Sequence, residues 1–349
     1  MKILYAGQLS ERDSALYRVW ALERLGHTVV RLDSYGYQPA LGMPFSSVLR
    51  KVAHRVQAGP WVVRLNREVL AMAEREQVDV FWADKLLGLW PETLERLRGM
   101  GVATVSYMID NAFGPRRDPG WRLYMRCIPA FDLHVVQRDR NIADYRNRGA
   151  RDVIKIQTAY EPTIHFPPEA GWSDVQRDRG VSFIGTSYDD RPEFLTRLWR
   201  AGLPVVISGD GMWRRRLEPA AAAALYTGGE LYGAEYREGI WRSKINLSFL
   251  THSNEDEFVH KSFEIAACGG FLLAERSEGH RQRFVEDAEA VFFTGYEECE
   301  RKVRQYLGDE AARARIAAAG RARAVRDGYG NDAQVGLIVE RVRGKVLPR

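Results

Sequence analysis

Cysteine is scarce in this chain: three in 349 residues, Cys127, Cys268 and Cys299. The number is odd and the spacings match no metal-ligand motif. A disulfide framework and a zinc site are therefore not expected, and a reducing compartment is the simpler setting. No run of about eighteen apolar residues occurs, which argues against a membrane-spanning helix. The opening MKILYAG is a short strand-like run without the longer apolar stretch of a signal peptide. A cytoplasmic protein is expected. P-loop, GxGxxG and Ser/His/Asp patterns are missing, as are low-complexity tracts and internal repeats. Neither sign of charge dominates, with 51 Lys plus Arg against 46 Asp plus Glu and a net charge of +5. That excess suits an anionic ligand, an anionic membrane surface or nucleic acid, and does not choose among them. The basic residues are scattered, and neither an aromatic-rich RNA motif nor a helix-turn-helix pattern accompanies them, so no nucleic acid partner is expected.

What the chain does have is alternation. KILYAG, TVVRLD, VDVFWAD, ATVSYMID and LHVVQ read as strands, separated by helical segments such as PETLERLRGMG. Such alternation implies parallel strands with covering helices. Pro162, Pro167, Pro168, Gly171 and the charged run Asp174–Arg179 interrupt it, which predicts a linker there. The pattern restarts with VSFIG, PVVISG, GELYG, KINLSF, FLLAE and AVFFTG. An α/β protein of two similar halves is expected, with domains over 1–165 and 178–328. A C-terminal helix near 332–346 is a candidate to return to the first half. The segment 45–76 mixes Arg50, Lys51, Arg55, Arg64 and Arg67 with Val48, Leu49, Val52, Val56, Trp61 and Val62. It reads either as a peripheral membrane or acceptor-docking element or as an amphipathic helix packed on its domain.

The stretch Lys244 to Glu275, KINLSFLTHSNEDEFVHKSFEIAACGGFLLAE, is the most telling. It predicts a strand, an acidic loop, a helix capped by Asn254 or Asp256, a small-residue turn and a strand. On such a helix Asp256, His260 and Glu264 fall at i, i+4 and i+8 on one face, with Lys261 one position round. A polar face at a strand's carboxyl end is where open α/β sheets bind ligands.

Two carboxylates eight residues apart, followed by small residues and glycine, resemble the acidic helix motif of GT-B glycosyltransferases of the group 1 family. KSFEIAACGGFLLAER is closer still to the CgeB-like (spore-maturation) group. WADKLLGLWPETLERLRGMGVATVSYMIDNAF, VSFIGTSYDDR and SEGHRQRFVEDAEAVFF resemble further segments of that group in the right order. The resemblance implies two Rossmann-like domains with parallel sheets facing a central cleft. It also implies transfer of a sugar, hexosyl in type, from a nucleoside diphosphate to an acceptor. That acceptor, whether glycan, lipid-linked, protein or small molecule, is left open. The nucleotide sugar is then a co-substrate and no other cofactor is expected. No metal is expected either, because protein cations and helix termini can carry diphosphate charge and no DxD-type site is evident.

The resemblance also suggests roles, each beside a plainer one. Glu264 accepts the ribose hydroxyls, or is a surface glutamate paired with Lys261. Lys261 faces the diphosphate, or is a solvated helix lysine. Asp256 touches the sugar, or is only a cap, with Glu257 one residue away. His260 is a sugar-facing donor, or bonds Glu264. Gly185 and Thr186, and likewise Ser208 and Gly209, let a phosphate approach backbone N–H groups, or form plain turns. Tyr232 and Gly233 occupy the place where the base is read. In the first half Asp84–Lys85 and Asp110–Asn111 end strands and are candidates for the acceptor. Asp110 is also the candidate general base, needed if the sugar configuration inverts. A strand-end aspartate is equally often a helix cap. His280 either lines the cleft or caps a helix. The alternative to an enzyme is a non-catalytic GT-B module that binds a sugar nucleotide or a protein partner.

Overall fold

The structure, a computed structural model, describes residues 1–37, 59–116 and 120–345. The chain divides into two compact units. Unit 1 is Met1–Gln157 together with the chain from Asn331 on, and unit 2 is Thr158–Gly330.

Unit 1 contains the strands β1 (Lys2–Gly7), β2 (Thr28–Asp33), β3 (Val80–Asp84), β4 (Ala103–Tyr107), β5 (Leu133–Val136) and β6 (Val153–Lys155). They pair in parallel in the order β2-β1-β3-β4-β5-β6. Its helices are α1 (Ser14–Arg24), α2 (Pro60–Glu76), α3 (Pro91–Gly99), α4 (Trp121–Cys127) and α5 (Asp139–Asn147). β3, β4 and β5 are buried along their whole length, as parallel strands covered on both faces must be. The strand order reverses between β1 and β3, which makes the carboxyl ends of these two strands the switch point of the sheet. Residues 45–58 of the basic segment lie outside the described residues. Its described part, α2, buries Val62, Leu65, Val69 and Ala73 at helical spacing. Arg64 of α2 lies over the Tyr37 ring.

Unit 2 holds β7 (Arg179–Ile184), α6 (Arg191–Arg200), β8 (Val205–Ser208), α7 (Trp213–Arg216), α8 (Pro219–Leu225), α9 (Gly233–Trp241), β9 (Ser243–Ser248), α10 (His260–Ala267), β10 (Leu272–Glu275), α11 (Glu278–Arg281), β11 (Val291–Phe293), α12 (Tyr296–Leu307) and α13 (Glu310–Arg326). The sheet order is β11-β10-β9-β7-β8, all parallel, and its switch point lies between β7 and β9. Phe249 joins the layers above it, with edge-to-face rings of Phe183, Phe194 and Phe293 at 5.4, 5.0 and 5.6 Å.

Three expectations about the course of the chain are corrected. The division falls after Gln157 rather than within the Pro/Gly-rich run. That run is held on unit 2, because Asp174 pairs with Lys244 at 3.0 Å and with Arg313, and Trp241 donates to the Phe166 carbonyl at 3.0 Å. GELYG forms no strand, and the edge of the sheet is continued only by an isolated bridge between Ile207 and Tyr226. The helix of the acidic stretch begins at His260 rather than near Asp256, because Glu255 takes a left-handed φ of 52° and Val259 is extended.

The last helix, α14 (Asn331–Arg343), belongs to unit 1. Val335, Ile338, Val339 and Val342 form its apolar stripe, in one core with Leu16, Val19 and Leu22 of α1. Arg24–Asp332 and Arg341–Asp152 ion pairs flank that packing.

Candidate functional site

The two switch points are filled in opposite ways. In unit 1, Asp84 at the end of β3 is buried and accepts from Arg18 Nε at 2.6 Å and from the Tyr5 hydroxyl. The Arg18 guanidinium lies 4.3 Å from the Tyr107 ring centre. This crevice is closed by a charge pair of the protein's own. Asp84, a candidate acceptor contact in the sequence, is thus engaged by Arg18 within the unit. Asn111 is buried too, and its Oδ1 accepts from Asn141 Nδ2 at 2.8 Å and Phe113 N at 3.1 Å. Lys85 and Asp110 are more accessible and pair at 2.6 Å. Lys85 holds a left-handed φ of 48°, a strained state for a residue with a Cβ.

In unit 2 the corresponding crevice holds cations. β7 ends at Ile184, and Gly185 and Thr186 turn toward α6. Gly185 N donates to Ser208 O at 2.9 Å, so the β7 and β8 turns are tied together. The turns approach so closely that a Cβ on Gly209 would lie 2.1 Å from the Gly185 carbonyl oxygen. Only glycine fits there. A Cβ on Gly185 would lie 3.1 Å from Lys261 Nζ.

Lys261 stands in the first turn of α10 and donates to the Ile184 carbonyl at the end of β7. Arg191 opens α6 and donates to Thr186 O and Leu250 O, each at 3.0 Å, and to Thr251 Oγ1 at 3.1 Å. Leu250 follows β9, so Arg191 spans the switch point. Both cations lie over the Phe183 ring, Lys261 Nζ at 5.4 Å and Arg191 Cζ at 5.6 Å from its centre. Neither forms an ion pair with a carboxylate among the described residues. Both occupy helix amino termini, where the helix dipole disfavours positive charge. Burial lowers the Lys261 pKa to about 8, with Arg191 adding to the shift and Glu264 opposing it. Burial also lowers that of Arg191, and its Nε finds no partner although it is enclosed. Two desolvated cations over one ring, with backbone amides and helix termini beside them, make a site for an anion.

Glu264 lies one turn beyond Lys261. It accepts from the Tyr236 hydroxyl at 2.7 Å, and His165 Nε2 lies 4.0 Å away. Burial alone would raise its pKa. His165, His260, Lys261 and the Tyr236 bond outweigh that and hold the carboxyl below its usual range. The carboxylate is therefore ionised and suited to accept hydroxyl groups. Tyr236 comes from α9, whose amino end carries Tyr232 and Gly233, so these two stand one turn from the Glu264 partner. His260 starts α10 and acts electrostatically on Glu264. Asp256 does not share the helix face. It sits in the loop before α10, accepts from Asn254 Nδ2 at 2.8 Å and acts on Arg191 through space. Ser208 has its Oγ 3.3 Å from Thr227 Oγ1.

His280 neither lines the crevice nor caps a helix. Ser277 is the cap of α11. The His280 ring is fully buried, with Nδ1 2.8 Å from Glu275 O and Nε2 2.8 Å from Ser262 Oγ. A carbonyl only accepts, so Nδ1 carries the proton and Nε2 accepts from Ser262. Ser262 Oγ in turn lies 3.0 Å from Ser248 Oγ. This chain pins the first turn of α10, and with it Lys261, to the sheet.

Of the residues singled out in the sequence, the fold brings together Lys261, Glu264, Gly185, Thr186 and Gly209, and it adds Arg191, Tyr236 and His165, which the sequence reading did not single out. A signal for Arg191 was present: an arginine at a helix start, against the dipole, in DDRPEF. Tyr236 and His165 carried none, since their role depends on α9 and the 158–178 run meeting α10. No group of three or more His, Cys, Asp or Glu among the described residues is placed to hold a metal ion.

Residues 191–336 match a protein family described as glycosyl transferase-like. No curated protein matches the chain in sequence. Among solved structures, the fold is that of GT-B glycosyltransferases. Sucrose-phosphate synthase from Thermosynechococcus elongatus superposes with a TM-score of 0.68 at 13% identity, over 99% of this chain and 98% of that one. Anabaena Alr3699/HepE in complex with UDP-glucose gives 0.67 at 12%, over 99% and 100%. A UDP-forming trehalose-phosphate synthase from Burkholderia xenovorans gives 0.65 at 13%, over 99% of each chain.

Proposed function

We propose that the chain is a glycosyltransferase that takes a sugar, hexosyl in type, from a nucleoside diphosphate held on unit 2. The observation that carries this reading is the pair Arg191 and Lys261, two cations without carboxylate partners among the described residues, over Phe183 at the switch point of that sheet. Negative charge grows on the departing diphosphate in the transition state, so fixed cations there lower the barrier selectively. Glu264, ionised and oriented by Tyr236, takes the ribose hydroxyls. HepE has been seen with UDP and with UDP-glucose, which favours UDP as the leaving group here. Arg191 and Lys261 supply the positive charge, so the transfer needs no metal. Asp110 serves as the base for the acceptor hydroxyl if the reaction inverts. The likeness of the Lys261–Arg276 segment supports membership of the CgeB-like group. Three buried free cysteines and the absence of a membrane-crossing helix among the described residues agree with a cytoplasmic location.

The test is UDP release from UDP-glucose and other nucleotide sugars by the purified chain, with and without a chelator, beside direct UDP binding. Lys261→Met and Arg191→Gln are expected to cut turnover more than donor affinity, and the chelator to leave rates unchanged. Absence of saturable binding by any nucleoside diphosphate refutes the reading. A second reading, a non-catalytic sugar-nucleotide module, draws support from the Lys85 ion pair that engages Asp110 at 2.6 Å. Tight UDP binding with no turnover across donors and acceptors would favour it.

A further inference from the structure

A second cavity lies on unit 2, at the amino-terminal edge of the same sheet. Its volume is about 280 Å³. Lys244 at the start of β9 and Phe271 just before β10 line its floor, whereas Lys261 and Arg191 mark the carboxyl edge. One wall is Pro167, Pro168 and Trp172. The other is one face of α13, with Glu310, Arg313, Ala314, Ala317, Ala318 and Arg321 at helical spacing. The three alanines leave the hollow that larger side chains would fill.

The charges around it do not balance. Four cations line it, Arg177, Lys244, Arg313 and Arg321, against one carboxylate, Glu310. Asp174 next to it pairs with Lys244 at 3.0 Å and with Arg313, and its amide donates to Glu310 Oε1 at 2.7 Å. Those two cations are therefore satisfied. Arg177 and Arg321 pair with no carboxylate among the described residues. Arg177 is half-buried, and burial disfavours its charge with Arg313 adding to the effect, while the fields of Asp174 and Glu310 offset part of it. A desolvated guanidinium facing a cavity is stabilised when an anion enters. The volume sits just below the range of ~300–1,000 Å³ usual for small-molecule sites, so the occupant is small.

We propose that this cavity binds a small organic anion, a phosphate or carboxylate group on a compact apolar body. Arg177 and Arg321 hold the anion, and Trp172, Pro167 and Phe271 pack on the body. The site shares no residue with the Arg191–Lys261 crevice and does not depend on the function proposed above.

The experiment is a calorimetric titration of the full chain with phenyl phosphate, benzoate and inorganic phosphate. Phenyl phosphate or benzoate is expected to bind saturably, and inorganic phosphate about tenfold more weakly for want of an apolar body. Whichever of the first two binds tighter identifies the anion. Arg177→Gln removes the charge, and Ala318→Phe fills the hollow from an exposed helix position. Each is expected to weaken binding about tenfold or more, with circular dichroism unchanged. Lys261→Met is expected to leave it intact. The proposal is overturned if neither organic anion saturates, or if both cavity variants bind as wild type does. It is also overturned if inorganic phosphate binds as well as phenyl phosphate, or if Lys261→Met abolishes the binding.

Discussion

Lys261→Met separates a cation kept for a ligand from one kept for the fold. The side chain keeps its length and loses its charge. In the free protein the Lys261 pKa falls from an ordinary 10.5 to about 8. That difference corresponds to about 3 kcal/mol held against the charged form at neutral pH. Its hydrogen bond to the Ile184 carbonyl returns part of this, about 1.5–3 kcal/mol for a charged donor. The variant without ligand should therefore be as stable as wild type, or up to about 2 kcal/mol more stable. A bound diphosphate removes the penalty, so UDP affinity should drop by up to about 100-fold in the variant. The sign of the pH dependence follows. The unfolded lysine keeps its proton up to 10.5 and the folded one only to about 8. Between these values the unfolded state binds more protons, so wild-type stability rises with pH. The advantage of the variant should vanish over that window. Denaturant melts from pH 7 to 10.5 and calorimetry with UDP at pH 7 check both halves. A variant that binds UDP like wild type, or that loses several kcal/mol of stability, would make Lys261 structural and refute the reasoning.

Glu264→Gln keeps the size but loses the ionised acceptor. UDP affinity should drop about tenfold or more with the fold intact, as calorimetry and circular dichroism will show. Asp84→Ala leaves Arg18 buried without its partner and should cost about 3–5 kcal/mol in denaturant unfolding. An acceptor residue at that place would instead change the acceptor KM and spare the melt. His280 has its pKa lowered to about 4 by burial, from an ordinary 6.5. The unfolded state takes the proton first, so stability should fall as pH drops through that window, by up to about 3 kcal/mol. His134 behaves alike, also at about 4, so the check is the flatter acid limb of His280→Asn against wild type.

The fold was legible because parallel sheets write a strong pattern. Strands buried on both faces, such as VFWAD and ATVSY, are nearly continuous apolar runs, and the helices between them carry 3.6-residue stripes. Short edge elements carry less. β6 is three residues, VIK, and escaped notice, while GELYG has strand composition but follows the Ile207–Tyr226 bridge and runs into α9 at Gly233. The division of the chain was misplaced because proline and glycine report only that no regular element runs through them. Whether such a run hangs free or is fastened depends on distant partners, here Arg313 and Lys244 for Asp174.

The candidate site was half legible, and the other half turned on which strand-end acids find a buried cation. Asp84 ends β3 and Asp110 lies three residues beyond the end of the neighbouring β4, and the two look alike in sequence. Arg18, sixty-six residues upstream of Asp84, decides between them by meeting only the first. That single long-range pairing closes the switch point of unit 1. In unit 2 no carboxylate among the described residues pairs with Arg191 or Lys261, and the equivalent crevice keeps two cations at helix starts, where helix dipoles already weigh against positive charge. Backbone carbonyls offset part of that cost, and a bound anion would offset more. The asymmetry between two sheets of the same topology is thus the strongest physical reason to seek the anionic substrate on unit 2.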